Sequence, residues 1–331
     1  MAPLEQVGFV DGHDRRTRKL SSLSPFVIFG CLALFPLFAV FGAETYLLGL
    51  VVRVMIFSIA AIALDFLVGY GRLISFGHAA FIGIGAYAVG ILGAHGLGDA
   101  LISLPVALAA AASLAFISGL VCLRTKGAYF IMITLAFGQM AFFAASSLAP
   151  YGGDDGITLQ ARSTVGGLSL LNDQYVFYYV VFGCLLLCYL FCHRMVRSPF
   201  GRVFRGASEN AVRVSTLGFD VLRYRLVGYV IAGAIAGLAG FLLANATNFV
   251  SPAYMSWQRS GELLIMVILG GTGTLHGAII GSMAFLLLEE WLAGFTEHWK
   301  LIFGPLLVCV ALFVPGGLGR IGSAIKGRNP R

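Results

Sequence analysis

Charged residues are scarce in this chain. They make up 11% of its 331 residues, whereas a soluble domain carries about 25%. Hydrophobic residues account for 59%, and the mean hydropathy is +0.90. This composition excludes a soluble globular protein and predicts an all-α polytopic membrane protein. Because one span takes roughly 20 residues, the chain has room for about eight to ten helices and none for a soluble catalytic domain.

Motifs for catalysis and metal binding are also missing. The six cysteines form no Cys-x-x-Cys or Cys/His set, and we interpret them as small apolar residues at helix contacts. The sequence has no Ser/His/Asp set and no pair of catalytic carboxylates. No segment fits the phosphate-binding pattern Gly-x-x-x-x-Gly-Lys-Ser/Thr of an ATPase. We therefore expect no enzyme, and no metal or cofactor bound by this chain.

Positive charge is distributed in short clusters between apolar runs. Membrane orientation explains the net charge of +7 better than nucleic acid does, so no nucleic-acid partner is expected. Basic connectors at the N-terminus, at Arg72, at Arg124 and at 194–225 alternate with connectors poor in Lys and Arg. The positive-inside rule places the basic connectors in the cytoplasm. Both termini are basic and are predicted to be cytoplasmic.

About nine apolar runs are visible, but two cytoplasmic termini require an even number of crossings. The run Glu262 to Trp291 is long for one span, and Gly270, Gly271 and Gly273 lie in its middle. Clustered glycines weaken a helix and permit a turn. We therefore split this run, with a broken or re-entrant first half. The result is about ten transmembrane or re-entrant helices.

The basic N-terminus and the first apolar run resemble the start of a signal peptide. No convincing small-residue cleavage site follows, so we interpret this run as an uncleaved first span. The predicted organisation is a cytoplasmic N-terminal segment 1–24, a transmembrane domain 25–315 and a cytoplasmic tail 316–331.

One basic segment has the pattern of an amphipathic helix. His193 to Arg225 holds seven of the 22 Lys and Arg residues. Ser198 can cap a helix, Pro199 can be its first residue and Gly218 can end it. Its apolar stripe consists of Val203, Phe204, Ala207, Ala211, Val214 and Leu217. Because such a stripe needs a surface that buries it, we predict a helix over 198–218 that docks on another protein rather than on lipid headgroups.

Ionisable residues at membrane depth are costly and suggest function. They are Arg53, Asp65, His78, Glu289 and Glu290. Arg53 and Asp65 lie about 120° apart on a helix of 3.6 residues per turn, so direct pairing is not expected. A proton relay through Asp65 and His78 is an alternative interpretation. Glu289 and Glu290 are expected to face the external surface.

Glycines recur at spacings that permit close helix contact. Gly233 and Gly237 form one pair, and Gly273, Gly277 and Gly281 form a series. We interpret these as packing positions rather than as the lining of a substrate path. Two glycine-broken regions, one in each half of the chain, suggest the duplicated architecture of transporters. Polar candidates for contact with a small solute are Thr134, Gln139, Asn245, Asn248 and Ser251.

Three groups of motifs, read in order, resemble one known family. The first is Asp65-Phe66-Leu67-Val68-Gly69-Tyr70 with Ser75-Phe76-Gly77-His78 and the glycines that follow; the second is Lys126-Gly127-Ala128-Tyr129-Phe130 with Thr134 to Gln139 and Gly152 to Ile157; the third runs from Gly201-Arg202 through Glu209 to Gly218 and on to Leu269-Gly270-Gly271-Thr272-Gly273. Over about 64–290 the chain resembles the permeases of branched-chain amino acid ABC importers, of the LivM type. Asp65, Arg72 and Gln139 depart from the residues usual in that family.

The resemblance implies an alternating-access permease for branched-chain amino acids or related small polar solutes in the bacterial inner membrane. Besides membrane lipid, it implies a LivH-like second permease subunit, two ATPase subunits that hold ATP and Mg, and a periplasmic solute-binding protein. The helix 198–218 would be the cytoplasmic coupling helix, with coupling residues Gly201, Arg202, Arg205, Glu209, Ala211, Arg213 and Gly218. The pathway or gate is expected at Gly77, His78, Phe81, Gln139, Asn248, Gly270, Gly271 and Gly273.

An ion-coupled secondary transporter or channel is the alternative function. Its working residues would be Asp65, His78 and Arg53. The sequence does not distinguish between branched-chain amino acids, urea, amides and aromatic acids as the solute. It also does not show whether the two permease subunits are identical or different.

Overall fold

The computed structural model describes residues 25, 27–36, 45–295, 301, 304–305 and 317. Within them the chain is almost entirely helical. The helices are α1 (Val27–Pro36), α2 (Thr45–Asp65), α3 (His78–Ala94), α4 (Ala100–Cys122), α5 (Ala128–Ser146), α6 (Gln174–Arg197), α7 (Pro199–Glu209), α8 (Ala211–Thr216), α9 (Val221–Thr247), α10 (Trp257–Gly270) and α11 (Leu275–Ala293).

Six of the described helices are long and apolar enough to cross a membrane: α2 with its continuation to Tyr70, α4, α5, α6, α9 and α11. Helices α1 and α3 are apolar but shorter, and α10 has 14 residues. The prediction of an all-α polytopic membrane protein is confirmed, whereas the count of about ten segments is not. The terminal segments 1–24 and 316–331 lie outside the described residues except for Gly317, and so does most of the last apolar run.

Helices α2 and α9 form the centre of the molecule. In their most apolar stretches, 72% of α2 and 67% of α9 is buried, against 22% of α4 and of α5. Helix α9 packs on α2, α3 and α4, while α2 also contacts α6 and α11. The outer helices α4 and α5 therefore present most of their apolar surface to the surroundings, as lipid-facing helices do.

Small residues allow the central helices to approach through their backbones. A Cβ at Gly240 of α9 would overlap the carbonyl oxygen of Ile82, and a Cβ at Gly85 would overlap that of Gly237. Gly233 and Gly237 also face the alanine side chains of α4 at Ala115 and Ala111. The predicted packing role of this glycine pair is confirmed.

The predicted break in the long apolar run is present. Helix α10 ends at Gly270 and α11 begins at Leu275, with Gly271 at φ 101° and Gly273 at φ 77°. Both dihedrals lie in the region that glycine adopts without steric cost. The two helices then pack closely, because Gly281 lies against the carbonyl oxygen of Met266.

Helix α2 does not end where its α-helical hydrogen bonds end. It continues as a π-helical segment, Phe66–Tyr70, and the chain then reverses to begin α3 at His78. π-Helical turns are uncommon and are frequent at functional sites. We refer to Phe66–Tyr70 as the π segment.

The connection between α5 and α6 is fastened to α9. Strand β1 (Ile157–Thr158) pairs antiparallel with β2 (Phe249–Val250). Arg162 donates from Nε to the carbonyl oxygen of Asn245 (3.1 Å) and lies 4.4 Å from the ring centre of Phe177. Its burial lowers the pKa of Arg162. The side chain of Asn245 accepts a hydrogen bond from the backbone N–H of Ser163 (2.7 Å), so it holds this connection.

The contact of α3 with α9 predicts a steric cost for the smallest substitution. In Gly240→Ala the new methyl group would overlap the Ile82 carbonyl, and we expect a loss of about 1–3 kcal/mol in stability. Gly183→Ala in α6 is the matched control, because no atom lies within 4 Å of its Cβ position. Thermal unfolding of the purified protein in detergent measures both. Equal unfolding temperatures for the two variants would contradict this packing.

Candidate functional site

The corner between α6 and α7 is built from three residues that the sequence singled out. Ser198 caps α7 by accepting a hydrogen bond from the backbone N–H of Gly201 (3.3 Å), and Pro199 is the first helical residue. A Cβ at Gly201 would overlap the carbonyl oxygens of Met195 and Val196. Gly201 therefore permits the tight exit from α6, and the predicted start of the amphipathic helix is confirmed.

The prediction of one continuous helix over 198–218 is wrong, because the helix is interrupted at Asn210. Asn210 adopts an extended conformation (φ −149°, ψ 95°), and its Oδ1 accepts from the backbone N–H of Arg213 (2.9 Å). Asparagine at this position caps a new helix instead of continuing the old one. The segment is therefore two helices, α7 and α8, and Gly218 at φ 87° follows them as predicted.

The apolar stripe of this segment is mostly buried by the chain itself. Phe204 and Ala207 are each 1% exposed and Val214 is 8% exposed. We predicted that a partner protein would bury the stripe; this is wrong for these three residues, because α7 packs on the π segment and on α9. Leu217, in contrast, is 71% exposed.

Phe204 is the centre of that packing. Its ring stacks on Phe66 of the π segment with 5.3 Å between ring centres and 12° between planes. A Cβ at Gly71 would lie 2.5 Å from Phe204 Cζ, and one at Gly228 would lie 2.8 Å from Cε2. Glycine at these two positions thus leaves the notch that receives the ring. Both glycines can be seen in the sequence, but only the fold shows that they lie together and make room for the Phe204 ring.

Two arginines add polar contacts to the same joint. Arg225 of α9 donates from Nη2 to the carbonyl oxygen of Ala207 (2.8 Å), and the guanidinium carbon of Arg205 lies 5.0 Å from the ring centre of Tyr70. The first bond satisfies a carbonyl near the end of α7, and the second is a cation–π contact. Helix α7 is consequently held to the π segment and to α9 by packing and by hydrogen bonding.

The outer face of α7 and α8 has no partner within the described residues. Of the predicted coupling residues, Arg202, Arg205, Glu209, Arg213 and Gly218 are exposed, and Ala211 is half-buried at the start of α8. Val212 is 72% exposed and Leu217 71%, so two apolar side chains lie among charged ones. We call Arg202, Glu209, Val212, Arg213 and Leu217 the docking face. Its mixed character resembles that of protein interfaces.

The π segment also contacts the turn between α10 and α11. The backbone N–H of Gly273 donates to Asp65 Oδ1 (2.7 Å). A Cβ at Gly69 would overlap the backbone nitrogen of Gly273, so the two chains touch without side chains between them. Since Phe66 follows Asp65 directly, one short segment contacts α7 on one side and the turn on the other.

The predicted pathway residues lie in three places. Gly77, His78 and Phe81 are at the start of α3, and Gly138, next to Gln139 in α5, faces Gly77. Gly270, Gly271 and Gly273 form the turn at Asp65, while Asn248 is at the end of α9 beside the β1–β2 pair. Their role as pathway or gate stays a prediction.

The three residues of the alternative ion-coupled mechanism have separate surroundings. Asp65 binds Gly273, while Arg53 lies 3.7 Å from Glu289. His78 is fully buried, packs edge-on against Phe81, and neither ring nitrogen has a hydrogen-bond partner among the described residues. Among the described residues, no hydrogen bond joins Asp65 to His78.

Glu289 does not simply face the external surface as predicted. Its side chain is 16% exposed and lies against Arg53 of α2. Glu290 accepts a hydrogen bond from the hydroxyl of Tyr46. The expectation failed for Glu289 because its place in the sequence shows only that it is near the end of a helix, whereas the antiparallel neighbour α2 brings Arg53 to the same level.

Metal binding finds no support in the described part of the chain, where no group of three or more His, Cys, Asp or Glu side chains could hold an ion.

The described architecture is that of a multi-pass helical membrane protein with two amphipathic helices fastened to its broken spans. This class includes the membrane subunits of transporters.

Comparison with known proteins identifies the family. The family described as "Branched-chain amino acid transport system / permease component" matches residues 46–311. The chain belongs to this family and is a permease component rather than an enzyme. No solved structure matches it.

Similar proteins include LivM and LivH permeases. The high-affinity branched-chain amino acid transport system permease protein LivM of Escherichia coli is 30% identical over 288 residues, covering 80% of this chain and 68% of the relative. The probable LivM of Methanocaldococcus jannaschii is 25% identical over 315 residues, covering 80% and 90%. LivH of Escherichia coli is 30% identical over 155 residues, covering 46% and 49%.

The bond between Asp65 and Gly273 predicts different effects for two substitutions. Asp65→Leu leaves the half-buried N–H of Gly273 without its acceptor, which costs about 1 kcal/mol, whereas Asp65→Asn keeps an acceptor oxygen in place. Thermal unfolding reports the stability, and hydrogen exchange at the Gly273 amide reports the bond itself. We expect faster exchange in the leucine variant only. Slow exchange in both variants would contradict the assignment.

Proposed function

We propose that this chain is a permease subunit of an ATP-driven importer that moves branched-chain amino acids across the bacterial inner membrane. The relatives' names support the solute class, since they describe branched-chain amino acid transport permeases. The proposal rests mainly on the packing of Phe204 in the notch at Gly71 and Gly228, which we call the seat of Phe204. This packing joins α7, whose outer face has no partner among the described residues, to the π segment. Such a joint can pass force from outside the membrane domain to its broken spans.

The docking face is the proposed contact with an ATPase subunit. Because the chain has no phosphate-binding motif, ATP and Mg would be bound by two ATPase subunits at the cytoplasmic side. The basic character of 194–225 supports a cytoplasmic position for α7 and α8, with both termini on the same side. A LivH-like second permease subunit and a periplasmic solute-binding protein complete the proposed importer.

The contacts suggest how closure of the ATPases reaches the solute path. Movement of α8 pulls α7, because Val214 and Phe204 are buried in one packed unit with α9 and the π segment. The π segment is bonded through Asp65 to Gly273, so the turn moves with it. A cavity of about 970 Å³, bordered by Tyr70, Gly273 and His276, lies beside the turn. The broken helices can then switch between two arrangements, as alternating access requires.

Reconstitution tests the proposal directly. The complete importer in proteoliposomes should accumulate leucine only with ATP inside and the binding protein outside. The permease subunit alone should move no solute. Transport by the permease alone, driven by an ion gradient, would support the secondary transporter and contradict the proposal.

If an ATPase subunit binds the docking face, charged substitutions in that face should weaken its binding. Leu217→Asp or Val212→Asp should weaken co-purification of the ATPase subunits and reduce ATP-driven uptake by about tenfold or more, because each buries a charge in the interface. Glu209→Ala and Gly218→Ala should act in the same direction. Leu168→Asp is the control, since Leu168 is 62% exposed in the connection between α5 and α6. Normal capture by both docking-face variants would show that the ATPase binds elsewhere.

A further inference from the structure

A cluster of charged side chains lies at the ends of α2 and α11 far from the turn. Two arginines share one aromatic ring, with guanidinium carbons 6.0 Å (Arg53) and 5.8 Å (Arg259) from the ring centre of Phe57. Three glutamates accompany them: Glu262 of α10, and Glu289 and Glu290 of α11. Opposite charges from three helices thus meet at one level of the membrane domain.

The two ion pairs of this cluster differ in geometry. Arg259 Nη1 donates to Glu262 Oε2 at 2.6 Å, which is a short charge-assisted hydrogen bond within α10. Arg53 Nη2 and Glu289 Oε1 are 3.7 Å apart, too far for a hydrogen bond. The other oxygen of Glu289, Oε2, is buried and has no hydrogen-bond partner among the described residues. The Arg53 guanidinium, 37% exposed, therefore keeps donors that a third group could use, whereas the free acceptor of Glu289 is enclosed while the pair is together.

Arg53 cannot be explained as a lipid-facing residue. It is the eighth residue of the span Tyr46–Tyr70, and its side chain is 37% exposed. A guanidinium at such a position contacts water, lipid headgroups, a polar solute or another protein, because hydrocarbon does not solvate charge.

We propose that Arg53 and Glu289 receive the two charged ends of a zwitterionic α-amino acid on its way through the permease. The guanidinium of Arg53 donates to the solute carboxylate, and separation of the pair exposes Glu289 Oε2, which then accepts from the solute ammonium group. Arg259 forms its closed pair with Glu262 within α10, and its contact with the Phe57 ring holds α10 beside α2. This inference rests on the proposed function and narrows its solute class, because urea and simple amides lack both charges and gain little from such a site.

Uptake by the complete importer in proteoliposomes is the first test. Arg53→Gln and Glu289→Gln should each lower the rate of leucine uptake by about tenfold or more, as expected when one charge-assisted hydrogen bond is lost. Arg124→Gln is the control, because Arg124 is exposed in the connector between α4 and α5, outside both the cluster and the docking face. Leucine binding to the solute-binding protein and thermal unfolding should match the control. Uptake equal to the control in both variants would overturn the inference.

Thiol labelling distinguishes a solute site from protein packing. Glu290→Cys, on a background with the native cysteines replaced by serine, should react with a membrane-impermeant thiol reagent from outside. Leucine at millimolar concentration should slow the reaction, and 4-methylpentanamide, which carries neither charge, should not. The protection should disappear when Arg53→Gln is added. Absence of labelling, or equal protection by both compounds, would overturn the inference.

The failures of the two proposals are distinguishable. If the importer with the unaltered permease accumulates no branched-chain amino acid, the proposed function itself fails. If that importer accumulates leucine while the Arg53 and Glu289 variants match the control, only the inferred site fails.

Discussion

Phe204 lies in a notch that exists because residues 71 and 228 are glycines, and its ring stacks on Phe66. This contact joins the amphipathic helices to the membrane domain. It also connects these helices to the turn between α10 and α11, because Phe66 belongs to the π segment and the neighbouring Asp65 accepts a hydrogen bond from Gly273 of that turn. Without this ring contact, only the Arg205–Tyr70 and Arg225–Ala207 contacts described above would hold α7 to the π segment and to α9.

Helices α2 and α11 extend this connection across the molecule. They run antiparallel and are joined at three levels: Asp65 with Gly273, Ser58 with Ser282 (2.6 Å between hydroxyl oxygens), and Arg53 with Glu289. Each level brings polar atoms together inside an apolar protein, where a partner lost is costly. The pair therefore connects the Phe204 contact with the charged cluster. In the proposed mechanism, a movement of the docking face alters the distance between Arg53 and Glu289.

Much of this architecture could be predicted from local signals. Hydropathy located the spans, Gly270 to Gly273 marked the break, and Ser198 and Gly218 marked the ends of the amphipathic segment. The split at Asn210 was missed because the apolar spacing continues across it, while the cap depends on one side chain. Burial of the stripe by the chain itself, and the pairing of Arg53 with Glu289, depend on which helices become neighbours. Periodicity within one helix carries no information about that arrangement.

In the proposed mechanism, α7, α8, the π segment and the turn move as one body when the ATPases close. Pulsed electron–electron distance measurements with spin labels in pairs at Ser215, Thr272 and Phe116 of the complete importer test it most directly. These positions lie on α8, on the turn and on the outer helix α4. The account predicts that ATP binding leaves the Ser215–Thr272 distance unchanged and shifts the Thr272–Phe116 distance. A change in Ser215–Thr272 with Thr272–Phe116 constant would contradict it.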